Sequence, residues 1–457
     1  MNDMSDRLSP LDVSFLYLEG ETTPMHVGGV CVLEPPPEGF DYDRLVQIVR
    51  DRVALVPRFR QKIRWVPGRL GNPVWVDDNE FDVTYHVRRS ALPKPGTEEQ
   101  LKELTARVQS RALDRARPLW EIYLVEGLAD GRIAIITKTH HAMVDGVSAV
   151  DIGAVILDIT REPRETTHED WSPRPEPSNA SLVLDAVADV VRKPAELLNT
   201  ARTNIADVRR LAGGLVAAIT TTARSAPDSP LNVEIGAQRR FGVARTRLDD
   251  YKVVRKQHGG TVNDVVLATV AGAMRTWLLT RGESVNGRVI RAMVPVSVRG
   301  ENEETGGNRV SSYFVDLPVG EPSPVVRLHQ VSYAMSAHKD SGQSVGAEAL
   351  VSLAGFVAPT LHAMGARAAA GLSKRLFNVV VTNVPGPQIP LYAAGAEMLE
   401  VFPVVPIARG QAVSIGLTSY NGGVYYGLNA DRDALPDVDV LAQCIEESLG
   451  ELVEASG

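Results

Sequence analysis

The sequence predicts a mixed α/β (α+β) protein built from two comparable halves. Runs rich in β-branched residues recur along the whole chain. They alternate with stretches whose apolar residues return every three or four positions, so strands and helices are interleaved. A proline-rich, charged interval at 161–178 separates an earlier part from a later one of the same character. A length of 457 residues is more than one core usually serves, and 44% hydrophobic with 23% charged residues is ordinary for a globular protein, so two or three packed units are expected.

The elements follow in order. Ser9-Pro10 favours a short helix over a strand at Phe15-Leu16-Tyr17-Leu18, because proline fits the first turn of a helix. Residues 26–33 read as a strand, stopped by Pro35-Pro36-Pro37. Residues 42–53 form an amphipathic helix, with Leu45, Ile48, Val49 and Val53 on one face. Strands at 61–66 and 73–76 flank the turn at Pro67-Gly68, and His86 in 81–87 reads as packing or surface, since no partner clusters with it. A helix at 98–113 precedes Arg117-Pro118-Leu119-Trp120, a strand at 121–125 and, after Gly131, a β-branched strand at 132–138. Val147, Val150, Ala154, Val155 and Leu157 then mark one helical face.

Beyond the linker, Val183, Val187, Val190 and Val191 form one helical stripe. Leu197, Ala201, Ile205, Val208, Ala212, Leu215 and Ile219 form another, with Pro194 breaking or kinking the helix between them. This crossover reads either as a helix packed on both halves or as a surface helix that touches lipid. The division expected is 1–160, a crossover at 161–235, and 236–457. In the last part, a strand at 241–248 leads into a helix ending near His258. A second helix, capped by Thr261 or Asn263, runs past Trp277. Further strands are expected at 290–299 and 377–384, the second ending in Pro385-Gly386-Pro387. Residues 347–365 are strongly apolar but broken by Pro359 and His362. Residues 398–404, 412–420 and 423–429 read as one antiparallel sheet with Asn421-Gly422 as a hairpin turn, and 438–453 as the closing helix.

Charge and cysteine usage narrow the class. A net charge of −8 favours neither nucleic acid nor a mainly electrostatic grip on anionic membranes, although basic residues could cluster locally around a phosphate. Cys31 and Cys444, far apart, make no metal spacing or disulfide framework, so a reducing cytoplasm is the simplest compartment. The N-terminus has no apolar signal-peptide core, and no uninterrupted apolar run reaches the roughly 20 residues of a membrane span.

The chemistry concentrates in Thr139-His140-His141-Ala142-Met143-Val144-Asp145-Gly146. It lies between a strand's end and a helix's start, where a loop can expose side chains on a rigid support. Neutral imidazole is the usual base near neutral pH. Neighbouring side chains in an extended chain point to opposite faces, so only one ring meets a reacting atom. His141 is the expected base and His140 faces the scaffold. Asp145 either orients an imidazole or pairs with a distant arginine, the second being favoured, and Gly146 permits a tight backbone beside the site. Asn263-Asp264 opens a helix, whose free N–H groups and positive end can serve a ligand or simply be capped. Trp120 either walls a channel beside Pro118 or fills the core.

His-His-x-x-x-Asp-Gly resembles the signature of the coenzyme A-dependent acyltransferase superfamily, which includes chloramphenicol acetyltransferase-like enzymes and peptide-synthetase condensation domains. Leu8-Ser9-Pro10-Leu11-Asp12, Arg117-Pro118-Leu119-Trp120-Glu121, Asn263-Asp264-Val265-Val266-Leu267-Ala268, Pro295-Val296-Ser297-Val298-Arg299 and Val381-Thr382-Asn383-Val384-Pro385-Gly386-Pro387 narrow the resemblance to the bacterial wax ester synthase/diacylglycerol acyltransferase family. The resemblance implies two chloramphenicol acetyltransferase-like subdomains with a tunnel between them. It implies transfer of a fatty acyl group from acyl-CoA to diacylglycerol or a long-chain alcohol. Asn263 then becomes the candidate oxyanion donor beside Asp264, with backbone N–H groups as the alternative. Pro118, Trp120, Ser297 and Arg299 become candidate substrate contacts, with Arg299 also a candidate partner for Asp145.

No nucleophile elbow, metal-binding His-Glu-x-x-His, Walker loop or dinucleotide fingerprint occurs, so neither an acyl-enzyme nor a cofactor beyond acyl-CoA is expected. Peripheral contact with membranes or lipid bodies is compatible with this reading. Its rivals are acylation of a polyketide- or peptide-derived acceptor from a carrier protein, and non-catalytic lipid binding.

Overall fold

A computed structural model describes residues 6–144, 152–165, 171–192, 226–297, 310–341, 345–346 and 376–457. The first half runs α1 (Pro10–Leu18), β1 (His26–Glu34), α2 (Tyr42–Arg52), β2 (Gln61–Arg64), β3 (Val74–Asp77), α3 (Val83–His86), β4 (Val87–Ala91), α4 (Glu98–Ser110), β5 (Trp120–Glu126), β6 (Ile133–His140), α5 (Ile152–Ile156), β7 (Leu157–Asp158) and α6 (Asn179–Arg192). The second runs β8 (Arg239–Arg247), α7 (Leu248–His258), α8 (Val262–Thr280), β9 (Ile290–Ser297), β10 (Val310–Leu317), α9 (Pro324–Ser341), β11 (Val345–Gly346), β12 (Val379–Pro385), β13 (Tyr392–Ala393), β14 (Ala396–Val404), β15 (Val413–Tyr420), β16 (Gly423–Asp431) and α10 (Val438–Glu454).

Local chemistry explains the helix starts. Ser9 and Asp12 exchange side-chain and backbone hydrogen bonds around Pro10, a capping box that opens α1. Thr97 and Gln100 do the same for α4. Helix α8 is buried nearly all round, from Asp264 to Met274 and again at Trp277 and Leu278, as befits a helix inside a core rather than on a surface. Periodicity does not reveal α9, because its apolar residues lie on both faces: Leu328 and Val331 are buried, Val326 and Tyr333 exposed.

Among the described residues, two seven-stranded sheets organise the halves, in the orders β4-β5-β6-β1-β14-β13-β7 and β11-β10-β9-β12-β15-β16-β8. The sequence expectation of one antiparallel sheet over 398–429 is only half right. β15 and β16 form the Asn421-Gly422 hairpin, but β14 crosses to the first sheet and pairs with β1, Gly28 opposite Val404. Alternation of apolar residues tells which side chains point inward, not which strand edge receives them. Leu157, expected on a helix, instead lies in β7 and pairs with Ala393 of β13. Asp158 beside it takes two hydrogen bonds from buried Arg52 at 2.9 Å.

Each sheet has its own core. A third apolar cluster ties the lobes together, with Val30 and Val32 of β1, Leu101 and Val108 of α4, Phe241 of β8 and Phe402 of β14. Arg245 spans the same seam, bonding Glu400 at 2.6 Å and reaching Glu98. Gly427 lies so close to the Pro403 carbonyl that a Cβ there would collide with it. Among the described residues, no helix is long and apolar enough to cross a membrane. Asp145, Gly146, Arg299, the 193–225 part of the crossover and the apolar 347–365 stretch lie outside the described residues. Ser297 is placed by its backbone as the last residue of β9, opposite Val310.

Candidate active site

Every residue of β6 is buried, and the strand ends at His140. The His140 N–H donates to the Leu119 carbonyl at 2.9 Å and the next amide, of His141, to the Met25 carbonyl at 2.8 Å. The chain then makes a tight turn over His141–Met143, in which the Ala142 amide donates to Nδ1 of His140 at 3.1 Å. The two adjacent rings diverge. His140 is 1% exposed, whereas His141 is half-buried and stacked on Phe15 of α1, with 4.0 Å between ring centroids.

Behind this turn lies a buried ionisable cluster that the sequence did not reveal. Glu19, just past α1, places Oε1 at 3.5 Å from Nε2 of His26 and 3.7 Å from Nε2 of His140. Its other oxygen accepts from Arg115, whose Nε lies at 3.0 Å. Burial alone would raise the Glu19 pKa, but the imidazoles of His140 and His26 and the Arg115 guanidinium outweigh that and hold it well below the usual carboxylate range. Burial pushes the His26 imidazole down to about 4, against the pull of Glu19. Lys138, two residues before His140, is also sunk. Its ammonium donates to the Val108 carbonyl at 3.0 Å and lies 3.7 Å from Glu121, and burial lowers its pKa to about 8. His26 faces His140 directly across β1 and β6, a register that no local sequence pattern announces.

The Arg117-Pro118-Leu119-Trp120 segment supports this strand end. Trp120 is 1% exposed, donates its indole N–H to the Phe59 carbonyl at 2.8 Å and stacks on His86 at 4.4 Å. That places Trp120 in the core and not along a channel wall, because its polar edge and one face are already occupied. Pro118 is buried too, its carbonyl accepting from Trp120 N–H at 2.9 Å. His86 is fully buried, the packing alternative of its two readings.

In the second lobe, Thr261 caps α8, and the Asp264 carboxylate reaches back to the Thr261 amide at 2.8 Å while accepting from Ser332 at 3.1 Å. Asp264 is 4% exposed and serves the cap. Asn263 is half-buried, and its Oδ1 accepts from Nδ2 of Asn383 on β12 at 3.3 Å. This bond leaves the Asn263 amide N–H groups as donors, with the orientation set by a residue 120 positions away.

Known proteins match this arrangement from end to end. The wax ester synthase/diacylglycerol acyltransferase catalytic domain matches residues 8–266, and the C-terminal domain of the same group matches residues 306–453. The chain belongs to the wax ester synthase/diacylglycerol acyltransferase family. A probable diacylglycerol O-acyltransferase of Mycobacterium tuberculosis is 36% identical, covering 99% of this chain and 100% of that protein. A second from the same organism is 34% identical over 99% of this chain and 96% of its own length. A solved wax ester synthase/diacylglycerol acyltransferase from Marinobacter aquaeolei superposes with a TM-score of 0.72 at 30% identity, covering 99% of this chain and 100% of that one. The starter condensation domain of rhizomide synthetase shares the fold alone, at a TM-score of 0.59 and 12% identity.

In this member of the wax ester synthase/diacylglycerol acyltransferase family, the recurrent stretches reduce to two contact groups. Leu8 to Asp12 caps the helix that lays Phe15 on His141, and Leu119 holds the backbone of His140. In the other lobe, Asn263 and Asn383 join the Asn-Asp helix start to the Val-Thr-Asn-Val-Pro-Gly-Pro strand.

Proposed function

We propose that this chain transfers a long-chain fatty acyl group from acyl-CoA to the hydroxyl of diacylglycerol, a long-chain alcohol, or both, with His141 as general base. Family membership makes it an acyltransferase, and the relatives named diacylglycerol O-acyltransferase support this acceptor class. The observation that carries the assignment of the base is the different placing of the two rings: His140 is buried and holds the turn, while His141 is half-buried and stacked on Phe15.

His141 takes the acceptor's hydroxyl proton as the oxygen attacks the thioester carbon. The tetrahedral oxyanion is held by the Asn263 amide and backbone N–H groups. Collapse expels the coenzyme A thiolate, and His141 returns the proton to it. Such proton transfer contributes about 10²–10⁴-fold and an oxyanion donor about 10²–10³-fold. In this reading no acyl-enzyme forms and no cofactor beyond acyl-CoA is used. Pro118 borders the substrate. The protein works in the cytoplasm, peripherally on membranes or lipid bodies.

The test is a product assay with labelled palmitoyl-CoA offered to diacylglycerol and mixed long-chain alcohols. His141→Ala is expected to lose roughly 10²–10⁴-fold in kcat. Turnover near that of the parent protein would remove His141 from the role.

A further inference from the structure

The turn that presents His141 depends on which nitrogen of His140 carries its proton. The Ala142 amide donates to Nδ1 of His140 at 3.1 Å, and only an unprotonated ring nitrogen accepts. A neutral His140 must then carry its proton on Nε2. That nitrogen faces Oε1 of Glu19 at 3.7 Å, in a space where the His140 side chain is 1% and the Glu19 side chain 9% exposed. The hydrogen bonding of one ring nitrogen sets the state of the other. Were the proton on Nδ1, two N–H groups would point at each other in the turn and a bare nitrogen would face a buried anion.

We propose that Glu19 is a positioning residue of this site: its carboxylate, clamped by Arg115, keeps the His140 proton on Nε2 and so frees Nδ1 to hold the Ala142 amide and the turn that presents His141. The clamp is two-pronged. Arg115 reaches Glu19 through Nε and a terminal nitrogen, and that same terminal nitrogen donates to the Leu16 carbonyl at 3.1 Å, so the carboxylate is fixed to the end of α1. The same helix lays Phe15 on His141. One short segment thus grips both rings of the His-His pair.

Each surrounding charge has a close partner of opposite sign. Glu19 is matched by Arg115 and shares its Oε1 with His26 of β1; Lys138 of β6 is matched by Glu121 of β5, itself bonded to Arg88 at 3.0 Å. Burial holds the His26 imidazole down at about 4, against the pull of Glu19. The segment is also tied to the second lobe, since Arg239 of β8 donates to the Thr22 carbonyl.

The consequence for turnover rests on His141 being the base, so the experiment reads the clamp separately from catalysis. Histidine side chains labelled with ¹⁵N report the protonated nitrogen of His140 by two-bond NMR correlation in the parent protein, Glu19→Gln and Arg115→Met, alongside kcat and KM for both substrates. Arg115 is 43% exposed, so its replacement is compatible with folding even where loss of the Glu19 charge is not. Glu19→Gln is expected to mix the His140 tautomers and to lower kcat roughly 10- to 100-fold, with each KM within about twofold. Arg115→Met should shift both readouts the same way by less. A single Nε2–H tautomer in both variants, or unchanged kcat with His141→Ala inactive, overturns the positioning role. A mixed tautomer in Glu19→Gln with His141→Ala still active upholds the clamp and removes His141 as base.

Discussion

The end of β6 in the first lobe and the start of α8 in the second carry opposite kinds of polarity. At the end of β6 the first lobe buries ionisable groups, with Glu19, His26, Lys138 and His140 all at most 9% exposed. At the start of α8 the second lobe presents neutral amides, Asn263 and Asn383, and the adjacent acid, Asp264, is absorbed in a helix cap. Burying charge is tolerated only when partners are close, which is why Glu19 comes with Arg115 and Lys138 with Glu121. Amide dipoles are cheaper to bury and need no counter-ion. They suit a negative charge that exists only in the transition state. Proton handling and oxyanion stabilisation thus fall to different lobes in this reading, each with the environment its chemistry requires.

The sharpest way to break that comparison is at the first two positions of the Asn-Asp pair. Asn263→Ala should lower kcat by about 10²–10³-fold with little change in KM. Asp264→Asn should leave kcat near that of the parent and cost about 0.5–2 kcal/mol of stability, as loss of a cap does. Steady-state kinetics and thermal melts on the pair would decide it; the reverse pattern would return Asp264 to the chemistry.

Next in size is the acid response, which belongs to the first lobe. His26 has a folded pKa near 4 against an ordinary value of 6.5. As pH falls below 6.5 the unfolded chain takes up the proton first, so stability is lost between about pH 6.5 and 4, by roughly 3 kcal/mol for this group. Glu19, held below its ordinary range, adds a further loss in the same direction at lower pH. Urea unfolding at steps from pH 7.5 to 4 should show this slope, and His26→Gln should flatten it between pH 6.5 and 5. A slope unchanged in that variant would place the acid sensitivity elsewhere. The smallest effect expected is at Asn383. Asn383→Ala frees the Asn263 amide to rotate, and kcat should drop about tenfold or less without loss of stability.

The helices at 10–18, 42–52, 98–110 and 248–258 were legible because caps and apolar faces act over four residues or fewer. The His-His pair was legible as a strand end because a β-branched run leads straight into it. The separate fates of those rings followed from the alternation of an extended chain, but which neighbours each would meet did not. Glu19 carried no signal: one acid after a short helix looks like any surface charge until Arg115, His26 and His140 close around it. Trp120 and Asp264 each allowed two readings in the sequence, and only the tertiary structure shows Trp120 filling the core and Asp264 closing a helix cap.

What the sequence alone determined is the succession of strands and helices, the two-part organisation, the family and the strand end that bears His140 and His141. All rest on patterns a few residues long. The tertiary structure decided that β14 joins β1, that His26 lies opposite His140 with Glu19 between them, and that Asn383 orients Asn263. Those pairings are chosen by the collective burial of whole sheets, a free energy spread over residues hundreds of positions apart, and so they leave no local mark in the chain.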